Sequence, residues 1–176
     1  LARACLDLHE LTLEPRWHDE AEALAAQILA HHRREGGGLY MSAADAEALV
    51  ERTESQHDSP LPSGLAAAVE VLARLELGGP AGDPAGAAGP GLDARPFLDQ
   101  TLARFARAHA RPTAFAGLID AAQWLAPSAV HVTLRAASPA AAQELAAPLR
   151  RARARLDHGV ALAFVEVSPD QGSPES

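Results

Sequence analysis

Leu1, Cys5, Leu8 and Leu11 recur at helical spacing, and Glu14-Pro15 interrupts them before Trp17, Ala21, Leu24, Ala25 and Ile28 open a second apolar stripe. Gly36-Gly37-Gly38 closes that stripe as a C-cap and turn would, so this segment predicts two antiparallel helices. Residues 39 to 42, LYMS, suit a short strand or the edge of a loop. Ser42 with Asp45 matches a capping box and predicts a short helix reaching about Arg52. The stretch HDSPLPSGLAAAVEVLARLE, His57 to Glu76, places Ser63 as the N-cap of a helix running to about Leu77, with Leu65, Val69, Leu72 and Leu75 or Glu76 marking its faces.

Residues 78–94 are rich in Gly, Pro and Ala and predict a mobile connector. A helix from about Pro96 carries Phe97, Leu98, Leu102, Phe105 and Ala106, and another starts at Pro112 and ends near Ala126-Pro127. The pattern then changes. AVHVTLRA alternates and is β-branched, SPAAAQELAAPLRRARARL is helical with Ser138 as cap and Pro139 in first position, and VALAFVEV is a second strand. The fold class expected is therefore mainly α. Helical hairpins occupy 1–126, a small β-α-β unit occupies 127–167, and the polar tail 168–176 frays.

Ala and Leu dominate the 48% apolar content while aromatics are only 4%, which favours helices packed closely through small side chains. A net charge of -8 argues against nucleic acid as a partner, because phosphate binding needs a cationic surface. The basic run Arg150, Arg151, Arg153, Arg155 is too local to reverse that. One cysteine, Cys5, allows no disulfide framework, CxxC redox pair or cysteine-rich zinc site within the chain, and it falls on the apolar face with Leu1 and Leu8. No apolar run approaches the roughly 20 residues of a membrane span, and no signal pattern is present, so the expectation is a cytoplasmic chain without a membrane partner. The start inside a helical pattern, without Met or cap, predicts a cut from a larger protein.

The hairpin LHELTLEPRWHDEAEALA, the turn EGGGLYMSAADAEAL, and the spacing R-x-x-x-x-x-D-S-x-x-P-S-G from Arg52 to Gly64 occur in an order that resembles the C-terminal part of the thioredoxin-domain-containing family of YyaL and the spermatogenesis-associated proteins. That resemblance implies a partial α/α toroid of antiparallel helical hairpins, similar to six-hairpin glycosidases, with a β-α-β segment near the end and a thioredoxin-like domain in the missing part. The chain would cover roughly the last quarter of such a parent. The resemblance implies carbohydrate binding or processing in the intact protein and no cofactor held by this part. The sequence also departs from the family pattern. Leu65 and Ala66 stand where polar groups are usual, and Glu54 and Ser55 stand where a lysine and an acid are usual.

Arg52, His57, Asp58 and Ser63 are the candidate substrate-binding residues. An Arg-carboxylate-hydroxyl cluster suits the neighbouring hydroxyls of a sugar, with Asp58 or His57 as proton acceptor. The competing and favoured reading is architectural: Asp58 orders the turn, Ser63 caps the helix and Arg52 pairs with Asp58. Asp19, Glu20 and Glu22 fall on an outward face, away from the paired-acid arrangement of glycoside hydrolysis. His31 and His32 are adjacent and point about 100° apart on a helix, so they cannot chelate one metal, and no metal site is expected. Trp17 and Trp124 lie in apolar stripes and are expected in packing rather than stacked on a sugar. Two functions remain open. One is a carbohydrate-binding rim of a toroid, and the other is a non-catalytic helical scaffold, with self-association through apolar faces that missing hairpins would cover.

Overall fold

The computed structural model describes residues 1–47, 51–54, 56–77, 92–127, 129–134, 136, 138–153 and 160–164. Most of the expected connector (78–91) and the whole tail 168–176 lie outside the described residues. The protein is mainly helical. Its elements are α1 (Ala2–Thr12), α2 (Pro15–His32), α3 (Gly64–Leu77), α4 (Arg95–Arg104), α5 (Pro112–Ala122), β1 (Val130–Leu134), α6 (Pro139–Arg153) and β2 (Val160–Phe164), with 3₁₀ turns at Ala108–Ala110 and Gln123–Leu125.

Helices α1 and α2 pack as a hairpin across a two-residue turn. Leu13 adopts the left-handed conformation there, φ 60°, and its N–H donates to the His9 carbonyl, which ends α1 without a glycine. His9 Nδ1 also donates to the Glu14 carbonyl at 3.0 Å. Pro15 opens α2 where no intrahelical N–H is needed. Only Ala21 and Ala25 of α2 are buried, so this helix lies at the edge, with Asp19 and Glu20 exposed as expected and Glu22 half-buried.

Helix α3 is the hub. It touches α1, α2, α4, α5 and the turn after α5, and ten consecutive-face residues from Leu65 to Leu75, Glu70 and Arg74 among them, are buried. The core around it includes Val69, Leu72, Phe97 and Leu98, all with essentially no exposure, together with Cys5, Leu6, Phe115 and Leu118. Leu92 and Ala94 belong to the same core. The expected connector therefore ends before Leu92, because an apolar side chain at that point anchors the approach to α4.

Helix α4 buries Phe97, Leu98 and Thr101, whereas Ala106, placed in the stripe by the sequence pattern, is exposed beyond the helix end. The expected helix from Ser42 towards Arg52 is replaced, over residues 41–47, by turns and bends. The Ser42 hydroxyl is buried with no hydrogen-bond partner among the described residues, so it caps nothing. The chain here is instead drawn into antiparallel contacts: Leu39 bridges Arg33, Tyr40 bridges Glu54, and Met41 N–H donates to the Thr53 carbonyl. Those long-range bonds satisfy the backbone in an extended form and outcompete the local capping motif.

Strands β1 and β2 pair in parallel, in register from Val130 with Val160 to Leu134 with Phe164, and α6 lies between them in sequence. Ser138 caps α6 by accepting from the Ala141 N–H at 3.2 Å. A second small core joins Leu134, Ala142 and Ala146 to Leu13, so α6 and β1 meet the turn of the first hairpin. Arg150 donates to the carbonyls of Glu10 and Leu11, and Gln143 to that of Thr12. These are the carbonyls that a helix C-terminus leaves without intrahelical donors.

Candidate functional site

The loop before α3 is organised by Asp58. Its Oδ1 accepts from the Ser63 N–H at 2.8 Å, and its Oδ2 accepts from the Gly117 N–H of α5 at 2.7 Å. The Asp58 N–H donates to the Ala114 carbonyl at 2.8 Å. Phe115, between these two α5 contacts, has non-helical backbone angles, φ -136° and ψ 23°. Asp58 thus enters α5 at this kink, takes a carbonyl freed there and caps the turn that resumes behind it. Its carboxylate lies against the N-terminal ends of both α3 and the resumed α5, where the helix dipoles favour a negative charge. Burial works to raise the Asp58 pKa, but the N–H groups of Ser63 and Gly117, the Ser63 hydroxyl and nearby His57 outweigh it and lower the value below the ordinary carboxylate range.

Gly117 permits this approach. A Cβ there would sit 3.1 Å from the side chains of Ala66 and Pro62 and 3.3 Å from Asp58 Oδ2, tighter than ordinary contact. Ser63, itself buried, accepts from the Ala66 N–H through its hydroxyl at 3.2 Å and so caps α3. Leu65 and Ala66, where the resemblance implies polar groups, are buried in the core.

Arg52 is elsewhere. Its guanidinium donates to the carbonyls of His31 (2.9 Å) and Ser42 (2.5 Å) and lies 4.2 Å over the Tyr40 ring. Among the described residues it shares no hydrogen bond or ion pair with Asp58, which corrects the expected pairing. Opposite charges six positions apart suggested it. The backbone amides of Ser63 and Gly117 occupy the carboxylate, and the carbonyls of His31, at the end of α2, and of Ser42, in the loop beyond it, occupy the guanidinium. His57 is exposed and its ring packs against Phe115, centroids 5.0 Å apart. The structure therefore brings Asp58, Ser63 and His57 to one joint and assigns Arg52 to a neighbouring one.

Glu54 ties two arginines. Arg104 reaches it at 2.6 Å and Arg34 at 2.8 Å. Burial acts to raise its pKa, and the bonds from Arg104 and Gln56 with the charges of Arg104 and Arg34 more than offset this, so it stays below the ordinary range. Arg104 also donates to the Gly37 carbonyl, and the Gly38 N–H donates to the buried Thr101 hydroxyl at 3.1 Å, which locks the triple-glycine turn onto α4.

Beside the first turn of α3 lies a cleft of about 350 Å³ lined by Ile28, His32, Leu39, Tyr40, Met41, Gly64, Leu65 and Ala68. Its lining is chiefly apolar. His32 Nδ1 is turned to the Tyr40 carbonyl at 3.0 Å, and His31 pairs with Asp45 at 3.2 Å, so the two histidines serve different partners. Among the described residues no cluster of three His, Cys, Asp or Glu side chains is placed to hold a metal ion.

The sequence pattern also hid a buried charge cluster. Arg74, 4% exposed, bonds Asp7 at 2.8 Å and Glu10 at 3.0 Å from α1, and Glu70 lies at 3.5 Å on its own helix. Glu70 receives Arg3 as well, at 3.2 Å. Burial raises the Glu70 pKa in spite of Arg3 and Arg74. The available signal was a Glu-x-x-x-Arg pair inside GLAAAVEVLARLEL, a helix otherwise apolar except for Glu76 near its end.

No family model and no curated protein matches this chain. No described helix is long and apolar enough to cross a membrane.

Proposed function

We propose that this chain is a non-catalytic helical scaffold: a run of α/α hairpins with a β-α-β appendage, forming the C-terminal part of a toroid in a thioredoxin-domain-containing protein of the YyaL and spermatogenesis-associated type. The order of motifs from α1 to Gly64 supports the family. The observation that carries the scaffold reading is the state of Asp58, whose two oxygens are each bound to a backbone amide. A carboxylate so held, with a lowered pKa, is a poor general base near neutral pH. Ser63 is likewise committed to its helix and Arg52 to two carbonyls. Exposed Leu1, Leu11, Met41 and Leu61 suit faces that further hairpins or a second copy would cover.

Carbohydrate binding in the intact parent is supported by one feature, the cleft beside Gly64 and Leu65 with Tyr40 on its wall. Titration with glucose, N-acetylglucosamine and maltose to about 50 mM, followed by amide NMR, separates the readings. The scaffold reading expects no saturable shifts at Tyr40, Met41 or Gly64. Saturable shifts at those amides overturn it in favour of sugar binding.

A further inference from the structure

Where α4 ends, the sequence RFARAHAR places Arg104, Arg107 and Arg111 at intervals of three and four residues. The 3₁₀ turn Ala108–Ala110 and the start of α5 wrap these positions around a basin of about 400 Å³ lined by Arg104, Phe105, Arg107, Ala108, Ala110, Arg111 and Phe115. None of the lining residues is acidic. Phe105 and Phe115 pack together, centroids 5.8 Å apart, as its apolar part.

The electrostatics of this basin run against those of the chain, whose net charge is -8. Arg104 is spoken for by Glu54 and the Gly37 carbonyl. Arg107 and Arg111 are exposed, and among the described residues their guanidiniums have no hydrogen-bond or ion-pair partner. Arg104 shares the Glu54 carboxylate with Arg34, so Arg107 and Arg111 bring two further positive charges to a concave place whose lining has no acid. By contrast, Arg74 is matched by Asp7, Glu10 and Glu70, and Arg150 is bound by the carbonyls of α1. Guanidiniums present flat forks of donors that fit the oxygens of a phosphate group in pairs, and an adjoining aromatic surface accepts an apolar or ring-shaped remainder.

We infer that the Arg104–Arg107–Arg111 basin binds a small phosphate monoester, with the phosphate held between Arg107 and Arg111 and the organic part against Phe105 and Phe115. This assignment is independent of the scaffold reading and of the cleft beside α3. It uses no residue of the Asp58 joint except Phe115, which serves as a wall.

The test is isothermal titration of the 176-residue chain with phenyl phosphate, inorganic phosphate and succinate at low salt. Phenyl phosphate is expected to bind saturably with Kd at or below about 1 mM, tighter than inorganic phosphate, and to weaken as salt is raised. The double substitution Arg107→Gln with Arg111→Gln removes two exposed, unpartnered charges, and circular dichroism checks that its fold is kept. It is expected to weaken phenyl phosphate about tenfold or more, while Arg151→Gln, in the other basic run, leaves binding unchanged. No saturable binding of phenyl phosphate to the unsubstituted chain, equal affinity in the double variant, or succinate binding as tightly as phenyl phosphate would each overturn the assignment.

Discussion

Replacing Asp58 with Ala deletes both acceptors that hold α3 to α5. The Ser63 and Gly117 N–H groups stand 2.8 and 2.7 Å from its oxygens, and both belong to helix starts. Loss of one helix-capping acceptor costs about 0.5–2 kcal/mol, so two lost together cost about 2–3 kcal/mol, with solvent reaching the half-exposed loop and limiting the penalty. For a chain of this size that corresponds to a fall in Tm of roughly 5–10 °C. Asn at the same position keeps one oxygen acceptor and is expected to lose about half as much. Urea and thermal denaturation followed by circular dichroism measure both. The pH dependence supplies a sharper check. Because the folded carboxyl titrates below its unfolded value near 3.9, its contribution is complete above that value and disappears as pH falls through the folded pKa. The stability gap between the unsubstituted chain and Asp58→Asn should therefore be constant from about pH 5 to 7 and shrink below about pH 4. A gap that stays flat down to about pH 3, or an Asp58→Ala cost under about 0.5 kcal/mol, would refute the role given to this carboxylate.

Arg74→Leu is expected to destabilise the fold by about 3–5 kcal/mol, since Glu10 and Glu70 would keep partly buried charges without their shared partner. A urea midpoint shift equivalent to less than about 1 kcal/mol would show that the cluster is solvated. Gly37→Ala combines a φ of 94° with a Cβ placed 2.7 Å from the backbone of Gln100 and Thr101, and is expected to cost about 2–4 kcal/mol. Gly36→Ala, whose nearest neighbour is the end of the Arg34 side chain at 3.9 Å, should cost only about 1 kcal/mol. Equal melting temperatures for the two would contradict the close approach of this turn to α4.

The helices were legible where their signals are local. Pro15, Pro96, Pro112 and Pro139 stand in first turns, and Ser63 and Ser138 cap as their spacing predicts. What escaped the sequence depends on partners far along the chain. Ser42-x-x-Asp45 reads as a cap until Arg52 takes the Ser42 carbonyl and Asp45 goes to His31. Asp58 reads as a partner for Arg52 until Gly117, 59 positions away, supplies an amide. Helix α3 shows an amphipathic minority of positions in its own sequence, yet it is buried nearly all round because α1 brings Asp7 and Glu10 to neutralise Arg74. Of the four candidate site residues, the capping role of Ser63 was visible from its neighbours, and the placement of Arg52 was not. Its partners are carbonyls, which every residue carries and no sequence pattern marks.

The Arg150 contact has a consequence for how the chain is made. Its target, the Glu10 carbonyl, lies 140 residues earlier, so at roughly 5–20 residues per second a ribosome releases that helix end about 7–28 s before its donor exists. During synthesis the first hairpin must wait with its terminal carbonyls hydrated, or lean on a temporary partner, until the last helix emerges. Nascent chains halted before Arg150 should therefore show the end of α1 exchanging its amide hydrogens quickly, and full-length chains should show it protected.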